Sequence, residues 1–145
     1  MNFKIYIPCC DDSLPIVKIN SYLFNKFWPQ AKVVYMGFKK PEFDFYSENH
    51  EFVSLAPKQE GGSNNWTRYM HEYIKTINDD VLMFSIDDYL LCATPDEAML
   101  NIALKLISKN DNIGRFDLTF DSQVEGNTLP VANIQDYQVH VKHPS

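Results

Sequence analysis

The sequence lacks several patterns that would assign it to common classes of protein. It has no block of basic residues, and its net charge of −6 disfavours binding to nucleic acid, which depends on neutralising phosphates. No apolar run is long enough to span a bilayer, and acidic residues follow the start too closely for a signal peptide. We therefore expect a cytoplasmic protein with no nucleic-acid partner and no transmembrane segment.

Zinc-binding and disulfide patterns are also missing. Of the three cysteines, Cys9 and Cys10 are adjacent and make poor disulfide partners, and no CxxC pair exists. This usage indicates a reducing compartment and no structural zinc. The four histidines have no ligand spacing and are interpreted as structural or exposed; they are His50, His71, His140 and His143.

The composition is that of an ordinary globular protein. The chain has 145 residues, of which 45% are hydrophobic and 22% charged, so disorder is not expected. Its length suits one domain with a real core, and no repeat or linker divides it. The chain stops at "VKHPS" without a closing helix, so we expect residues 1–145 to be a single domain truncated at the C-terminus.

Strands and helices are predicted to alternate along the chain. Apolar runs predict strands at 3–8, 32–37, 51–56, 81–86 and 112–120, with a weaker one at 137–141 after a loop that begins at Asp121. The run at 81–86 shows no alternation, which suits a central parallel strand that is covered on both faces. The order β-α-β-β-α-β-α-β predicts an α/β fold with a mostly parallel sheet.

Three helices are predicted between these strands. The first covers 14–28, with Ile16, Ile19, Leu23 and Phe27 at helical spacing. The second covers 66–77. The third is predicted to begin with Thr94 as its cap and Pro95 in its first turn, and to run to about Asn110.

The segment "DDVLMFSIDDYLL" ends an apolar run in two adjacent carboxylates, Asp87 and Asp88. Two like charges at the end of a buried strand need compensation, because both their repulsion and their desolvation are unfavourable. A hard cation such as Mg²⁺ or Mn²⁺ provides it, since such ions take one or two carboxylates together with phosphates and waters. The alternative is a solvated corner after the strand, because Asp is common in turns.

The acid pair is part of a longer segment that resembles a known family. "GGSNNWTRYMHEYIKTINDDVLMFSIDDYLL" resembles the core of nucleotide-sugar glycosyltransferases of the GT-A fold, whose apolar strand ends in a DxD-type motif. "KIYIPCCDD", "VVYMGF", "NNWTRYM" and "IGRFDL" are similar to neighbouring pieces of bacterial polysaccharide glycosyltransferases, in the same order. The resemblance covers nearly all of the chain. It implies a Rossmann-like nucleotide-binding half of a hexosyltransferase-like enzyme.

The resemblance also implies site residues and partners. Asp87 and Asp88 fall on the DxD-type motif, where one acid would hold Mn²⁺ or Mg²⁺ and the other the ribose or a metal-bound water. The implied nucleotide-binding set is Pro8, Cys9, Cys10, Asp12, Arg68 and Asp87. The implied partners are a nucleotide-sugar donor and a glycan or lipid-linked acceptor. No catalytic base is assigned, and Asp117 and Asp121 are weak candidates.

Two alternatives remain open at the level of sequence. A phosphoacceptor receiver domain also has acids after its first strand and after a later apolar strand, which "CCDD" and "SIDD" imitate. Against it, Asp12 and Asp87 are far apart, and no helix is predicted between the second and third strands. The other alternative is a non-catalytic module that binds a nucleotide sugar.

Overall fold

The folded chain alternates strands and helices as predicted. The computed structural model describes residues 3–56, 63–79, 81–110, 128–134 and 137–142. The strands are β1 (Lys4–Pro8), β2 (Lys32–Gly37), β3 (His50–Ser54), β4 (Met83–Phe84), β5 (Thr128–Ile134) and β6 (Tyr137–Lys142). The helices are α1 (Leu14–Phe27), α2 (Ser63–Ile74) and α3 (Glu97–Lys109), and a 3₁₀ turn at Asp11–Ser13 precedes α1.

The first four strands form one parallel sheet in the order β3-β2-β1-β4. The chain passes outward from β1 through β2 to β3, and then returns to place β4 on the other side of β1. The direction of winding therefore changes between β1 and β4. In open parallel sheets, such a switch in strand order opens a crevice at the carboxyl ends of the two strands. The α/β class predicted from the sequence is confirmed.

Each face of this sheet is covered by one helix. Tyr35 of β2 bonds to a side chain of α1, and Phe24 of α1 stands edge-on to His50 at the start of β3. On the other face, Tyr6, Val34 and Met36 form a buried cluster. Val53, Leu55, Met70, Tyr73, Ile77 and Leu82 pack against that cluster. Met70 and Tyr73 belong to α2, so the two helices bury opposite faces of β1 and β2.

Helix α1 has the predicted bounds to within one residue, but its predicted buried face is wrong. Ile16 and Ile19 are exposed, and the buried positions are Val17, Asn20, Ser21 and Phe24. The buried face is turned by about one residue relative to the apolar stripe. The apolar stripe does not reveal it, because two of the four buried residues are polar. Asn20 and Ser21 are buried with hydrogen-bond partners, which removes the cost of burying them.

The prediction for residues 81–86 is confirmed for the parallel pairing and wrong for the length and cover of the strand. Only Met83 and Phe84 pair with β1, and β4 lies at one edge of the sheet that the described strands form. Phe84 and Ile86 are 46% and 43% exposed. An apolar run alone does not distinguish a covered strand from an exposed one, since apolar atoms contribute much of any protein surface.

The start of α3 differs from the prediction for a local reason. The helix begins at Glu97, and the backbone N–H of Ala98 donates to Oδ1 of Asp96 at 3.0 Å. Asp96 therefore caps the helix, where Thr94 was predicted. Asp and Thr are both good caps, and Asp ranks slightly above Thr at this position.

The described residues fall into two compact units, Met1–Ala98 and Met99–Ser145. The second contains most of α3, with Leu100 and Ala103 buried, and the antiparallel pair β5–β6. Strand β6 confirms the strand predicted at 137–141, whereas β5 replaces part of the loop expected after Asp121. The predicted strand at 112–120 lies outside the described residues, and the single-domain prediction stays a prediction. No helix in the described ranges is long and apolar enough to cross a membrane.

Candidate functional site at the carboxyl ends of β1 and β4

Two segments meet at the point where the winding of the sheet changes direction. Beyond β1 the chain continues through Cys9 and Cys10 into the 3₁₀ turn at Asp11–Ser13. Beyond β4 it continues through Ser85 and Ile86 to Asp87 and Asp88. Because β1 and β4 are parallel neighbours, both segments leave the same edge of the sheet. We call this place the switch-point edge.

The acid pair occupies the two central positions of a tight turn. The N–H of Ser85 donates to the carbonyl of Tyr6 at 3.1 Å, which continues the pairing with β1. The N–H of Tyr89 then donates to the carbonyl of Ile86 at 3.1 Å and closes the turn. We call the four residues 86–89 the acid turn. Asp87 is half-buried and Asp88 is exposed. Within the described part of the chain, neither carboxylate forms a hydrogen bond or an ion pair.

Cys9 lies beside this turn as a buried, unreactive thiol. Its N–H donates to the carbonyl of Met36 at 2.9 Å, and its Sγ donates to the same oxygen at 3.5 Å. Burial raises the pKa of the Cys9 thiol to about 12, and the negative charge of Asp87 adds to the rise. The register of β1 with β4 brings the residues that follow the two strands side by side, and with them Cys9 and Asp87. A thiol that stays protonated is a poor nucleophile, so Cys9 shapes the edge by packing.

The other predicted residues of the first segment are positioned by short polar contacts. Ser13 Oγ accepts from the N–H of Cys10 at 3.1 Å and donates to its carbonyl at 2.9 Å. Asp11 Oδ1 accepts from the N–H of Lys39 at 2.9 Å, which ties the segment to the residues that follow β2. Pro8 is half-buried at the end of β1, whereas Cys10 and Asp12 are exposed. The contacts of Asp11 and Ser13 therefore hold a loop that presents Cys10 and Asp12 to solvent.

Arg68 does not share this arrangement. It is exposed on α2, and its guanidinium carbon lies 5.0 Å from the centre of the Tyr69 ring. Tyr69 in turn packs edge-on against Phe38, just beyond β2, with ring centres 5.9 Å apart. The described contact of Arg68 is therefore with Tyr69, its neighbour on α2. Helix α2 packs on the face of the sheet opposite α1. Cys9 and Asp87 are brought together, and Arg68 is not brought to them by any described contact.

Asn20 is a residue of the site that the apolar pattern of α1 did not reveal. Its side chain is fully buried, and its Nδ2 donates to the carbonyls of Asp87 and Tyr89 at 3.2 and 3.3 Å. Its Oδ1 accepts from the hydroxyl of Tyr35 at 2.9 Å. The amide thus joins the helix, the centre of the sheet and the acid turn. The sequence held no clear signal for Asn20, because it lies off the apolar stripe of α1 and next to a second buried polar residue, Ser21.

A second buried polar pair lies next to Asn20. Ser21 Oγ and His50 Nδ1 are 2.9 Å apart, and the N–H of Tyr46 donates to the same Oγ at 3.1 Å. Burial lowers the pKa of His50 to about 4. Burial also raises the pKa of Tyr35. The Tyr35 ring stands edge-on to the His50 ring, with centres 6.1 Å apart, while its hydroxyl bonds to Asn20, so the two buried pairs meet at Tyr35.

The two carboxylates of the acid turn are oxygen ligands of the kind that a hard divalent cation takes. Among the described residues, no group of three or more His, Cys, Asp or Glu side chains could hold a metal ion by itself. Mg²⁺ commonly binds through one or two carboxylates and completes its shell with phosphate oxygens and waters. The adjacent carboxylates of Asp87 and Asp88 provide that minimal oxygen set.

The two weak candidates for a catalytic base, Asp117 and Asp121, lie outside the described residues. Comparisons with known proteins do not decide their roles, since no protein-family model, no curated protein and no solved structure matches the chain. The residues and geometry at the switch-point edge are therefore the basis for assigning a function.

Proposed function

We propose that the chain binds a nucleoside diphosphate sugar at the switch-point edge and serves as the Rossmann-like, nucleotide-binding half of a GT-A glycosyltransferase. One observation carries the proposal: β1 and β4 are adjacent, so the acid turn lies beside the Cys9–Asp12 segment at a change in strand order. Nucleotides bind at this point in doubly wound folds, whose classic strand order, 3-2-1-4-5-6, reverses between strands 1 and 4.

In this proposal each segment has a distinct task. Asp87 and Asp88 hold Mg²⁺ or Mn²⁺, which supplies neutralisation of the diphosphate and so favours its departure from the sugar. The exposed residues of the Cys9–Asp12 segment contact the base and ribose. Both carboxylates are free of protein hydrogen bonds within the described chain, so they are available to a metal. The transferred sugar goes to a glycan or lipid-linked acceptor.

The strand order disfavours the receiver-domain alternative. In the receiver type of doubly wound sheet, the third strand lies beside the first, on the side away from the second. Here β3 pairs with β2, and β1 has β2 and β4 as its neighbours. The acids after β1 and β4 still lie at one edge, so acetyl phosphate labelling of an Asp would be the result that restores this alternative.

Calorimetric titration tests the proposal directly. The protein is titrated with UDP and GDP, each with and without Mn²⁺, and then with a panel of nucleotide sugars. We expect binding that depends on the metal, and its loss in Asp87→Asn and Asp88→Asn. Both changes keep the size of the side chain and remove its charge, so the fold should be retained.

A matched control is available at the far end of the sheet. Glu51 lies near the start of β3 and pairs with Lys4 in an exposed contact of 2.8 Å. Glu51→Gln removes one carboxylate without touching the switch-point edge, and binding should be unchanged. Equal binding by wild type and both Asp variants would remove the metal site, and with it the glycosyltransferase proposal. Because the chain is proposed as the nucleotide-binding half alone, we expect it to bind the nucleotide sugar without transferring the sugar.

A further inference from the structure

Asn20 is the only side chain of α1 with a described hydrogen bond to the acid turn. Its Nδ2 donates to the carbonyl oxygens of Asp87 and Tyr89, which stand on either side of Asp88 in the sequence. A primary amide has two N–H donors, so one group can serve both carbonyls. The turn is thus held through its backbone, while its two carboxylates remain outside this contact.

The orientation of this amide is itself fixed. Tyr35 is fully buried in β2 at the centre of the sheet, and its hydroxyl donates to Asn20 Oδ1. Its ring stacks on Phe45 with centres 5.1 Å apart and planes 7° apart. The two carbonyls of the turn can only accept, so they identify the nitrogen of the amide, and the hydroxyl of Tyr35 donates to the oxygen on its other side. Rotation of the amide by half a turn would place two acceptors together and leave donors unpaired.

We propose that Asn20 is the positioning residue of the acid turn: it fixes the backbone of residues 86–89 and thereby places the carboxylates of Asp87 and Asp88. β4 contributes only two paired residues, so the sheet alone gives the turn little support. The two hydrogen bonds from Asn20 attach the turn at a second point, to helix α1. The consequence for metal binding rests on the proposed function, whereas the conformation of the turn does not.

The amide N–H of Tyr89 reports on the turn without any ligand, because it forms the bond that closes the turn. We expect its hydrogen exchange, followed by NMR, to become about tenfold faster in Asn20→Ala and Asn20→Asp, through the loss of two hydrogen bonds. Asn20→Asp keeps the acceptor for Tyr35, replaces the donors by an oxygen and adds a buried charge, whereas Asn20→Ala removes the donors without adding a charge. If these variants do not fold, Tyr35→Phe gives a milder test. It removes one of the three hydrogen bonds of the Asn20 side chain, so exchange at Tyr89 should accelerate less.

Ser21→Ala is the matched control. Ser21 is the next residue on α1, equally buried, and bonded to His50 and to the N–H of Tyr46 instead of to the turn. It should lower the melting temperature without selective faster exchange at Tyr89. Equal acceleration by Ser21→Ala and the Asn20 variants would show a general loss of stability and overturn the proposal. Unchanged exchange at Tyr89 in every folded Asn20 and Tyr35 variant would also overturn it.

Binding gives the functional readout. With Mn²⁺ and UDP as probes, Asn20→Asp and Asn20→Ala should lose about 10-fold in affinity, as is typical when the residues that support metal ligands are changed. Ser21→Ala should retain the wild-type affinity. If wild type binds no Mn²⁺ with UDP or GDP, the proposed function fails, and exchange at Tyr89 still decides the role of Asn20. If wild type binds and the Asn20 variants bind equally well, the positioning role is wrong.

Discussion

Nδ1 of His50 is hydrogen-bonded to Oγ of Ser21 at 2.9 Å, and both side chains are buried between α1 and the sheet. Aromatic rings surround the imidazole edge-on, those of Phe24, Tyr35 and Phe45, with centres 6.1 to 6.4 Å away. Within the described part of the chain, Nε2 of His50 has no hydrogen-bond partner. A protonated ring would bury an unpaired N–H and a charge, so the neutral form is favoured.

Stability should therefore fall in mild acid through His50. Burial lowers the pKa of His50 from 6.5 to about 4, so the unfolded chain takes up this proton at a higher pH than the folded one. The stabilising contribution of neutral His50 is complete above about pH 6.5 and is lost as the pH falls towards 4, at a cost on the order of 3 kcal/mol. Urea unfolding at several pH values measures it.

The matched variants isolate this effect from the titration of carboxylates. His50→Gln cannot titrate and can still bond to Ser21, so its free energy of unfolding should fall less between pH 6.5 and 4. His71 is exposed on α2, and His71→Gln should follow the wild-type curve. A His50→Gln curve parallel to that of wild type would contradict the prediction.

Tyr35→Phe should destabilise the protein by about 1–3 kcal/mol, because Asn20 Oδ1 loses its donor in a buried site. The aromatic stacking with Phe45 is retained, so the change isolates the hydroxyl. Tyr22→Phe removes a hydroxyl from an exposed ring on the same helix layer and should change little. Denaturant midpoints of wild type and the two variants measure this difference in stability. Equal midpoints for Tyr35→Phe and wild type would show that the buried hydrogen bond does not stabilise the fold.

Gly37 should not tolerate a side chain. A Cβ at this position would lie 3.0 Å from Cys9 Sγ, 3.0 Å from Phe52 Cε2 and 3.1 Å from the carbonyl oxygen of Cys9. Gly37→Ala should therefore cost about 1–3 kcal/mol through overpacking. Because the contact falls on Cys9, we also expect weaker nucleotide binding. A melting temperature equal to that of wild type would show that β1 and β2 adjust at no cost.

The three thiols should differ in reactivity. Cys10 and Cys92 are exposed, whereas Cys9 is buried and has its pKa raised to about 12. A thiol reagent such as DTNB at pH 8 should modify two cysteines quickly in the native protein and the third only on unfolding. Cys9→Ser should leave the fast count at two, whereas Cys10→Ser should lower it to one. Fast modification of all three in wild type would contradict the burial of Cys9.

The parts of the fold that could be predicted are those in which local chemistry and packing agree. The bounds of β1, β2 and α1 follow from apolar runs and prolines, and the parallel sheet follows from the alternation of elements. The buried face of α1 could not be predicted, because Asn20 and Ser21 are stabilised there by partners 67 and 29 residues away. Hydrophobic periodicity detects transfer from water and does not detect hydrogen bonds made across the fold.

The candidate site could likewise be predicted only in part. Adjacent acids after an apolar run were visible in the sequence, and parallel pairing of β1 and β4 places them beside Cys9. The shortness and exposure of β4 were not visible, because an apolar run carries no information about its neighbours. The support from Asn20 depends on a contact between layers, which only the folded chain displays.

The bonds from Asn20 to the acid turn and from Tyr6 to Asp79 span 67 to 73 residues of the chain. Contacts of such long range form late, because the entropy of loop closure opposes them until much of the sheet is in place. During synthesis, β1, α1 and β2 leave the ribosome well before the acid turn does. The switch-point edge therefore cannot exist in the early nascent chain, and an antibody or ligand that recognises it would respond only to chains in which β4 has docked.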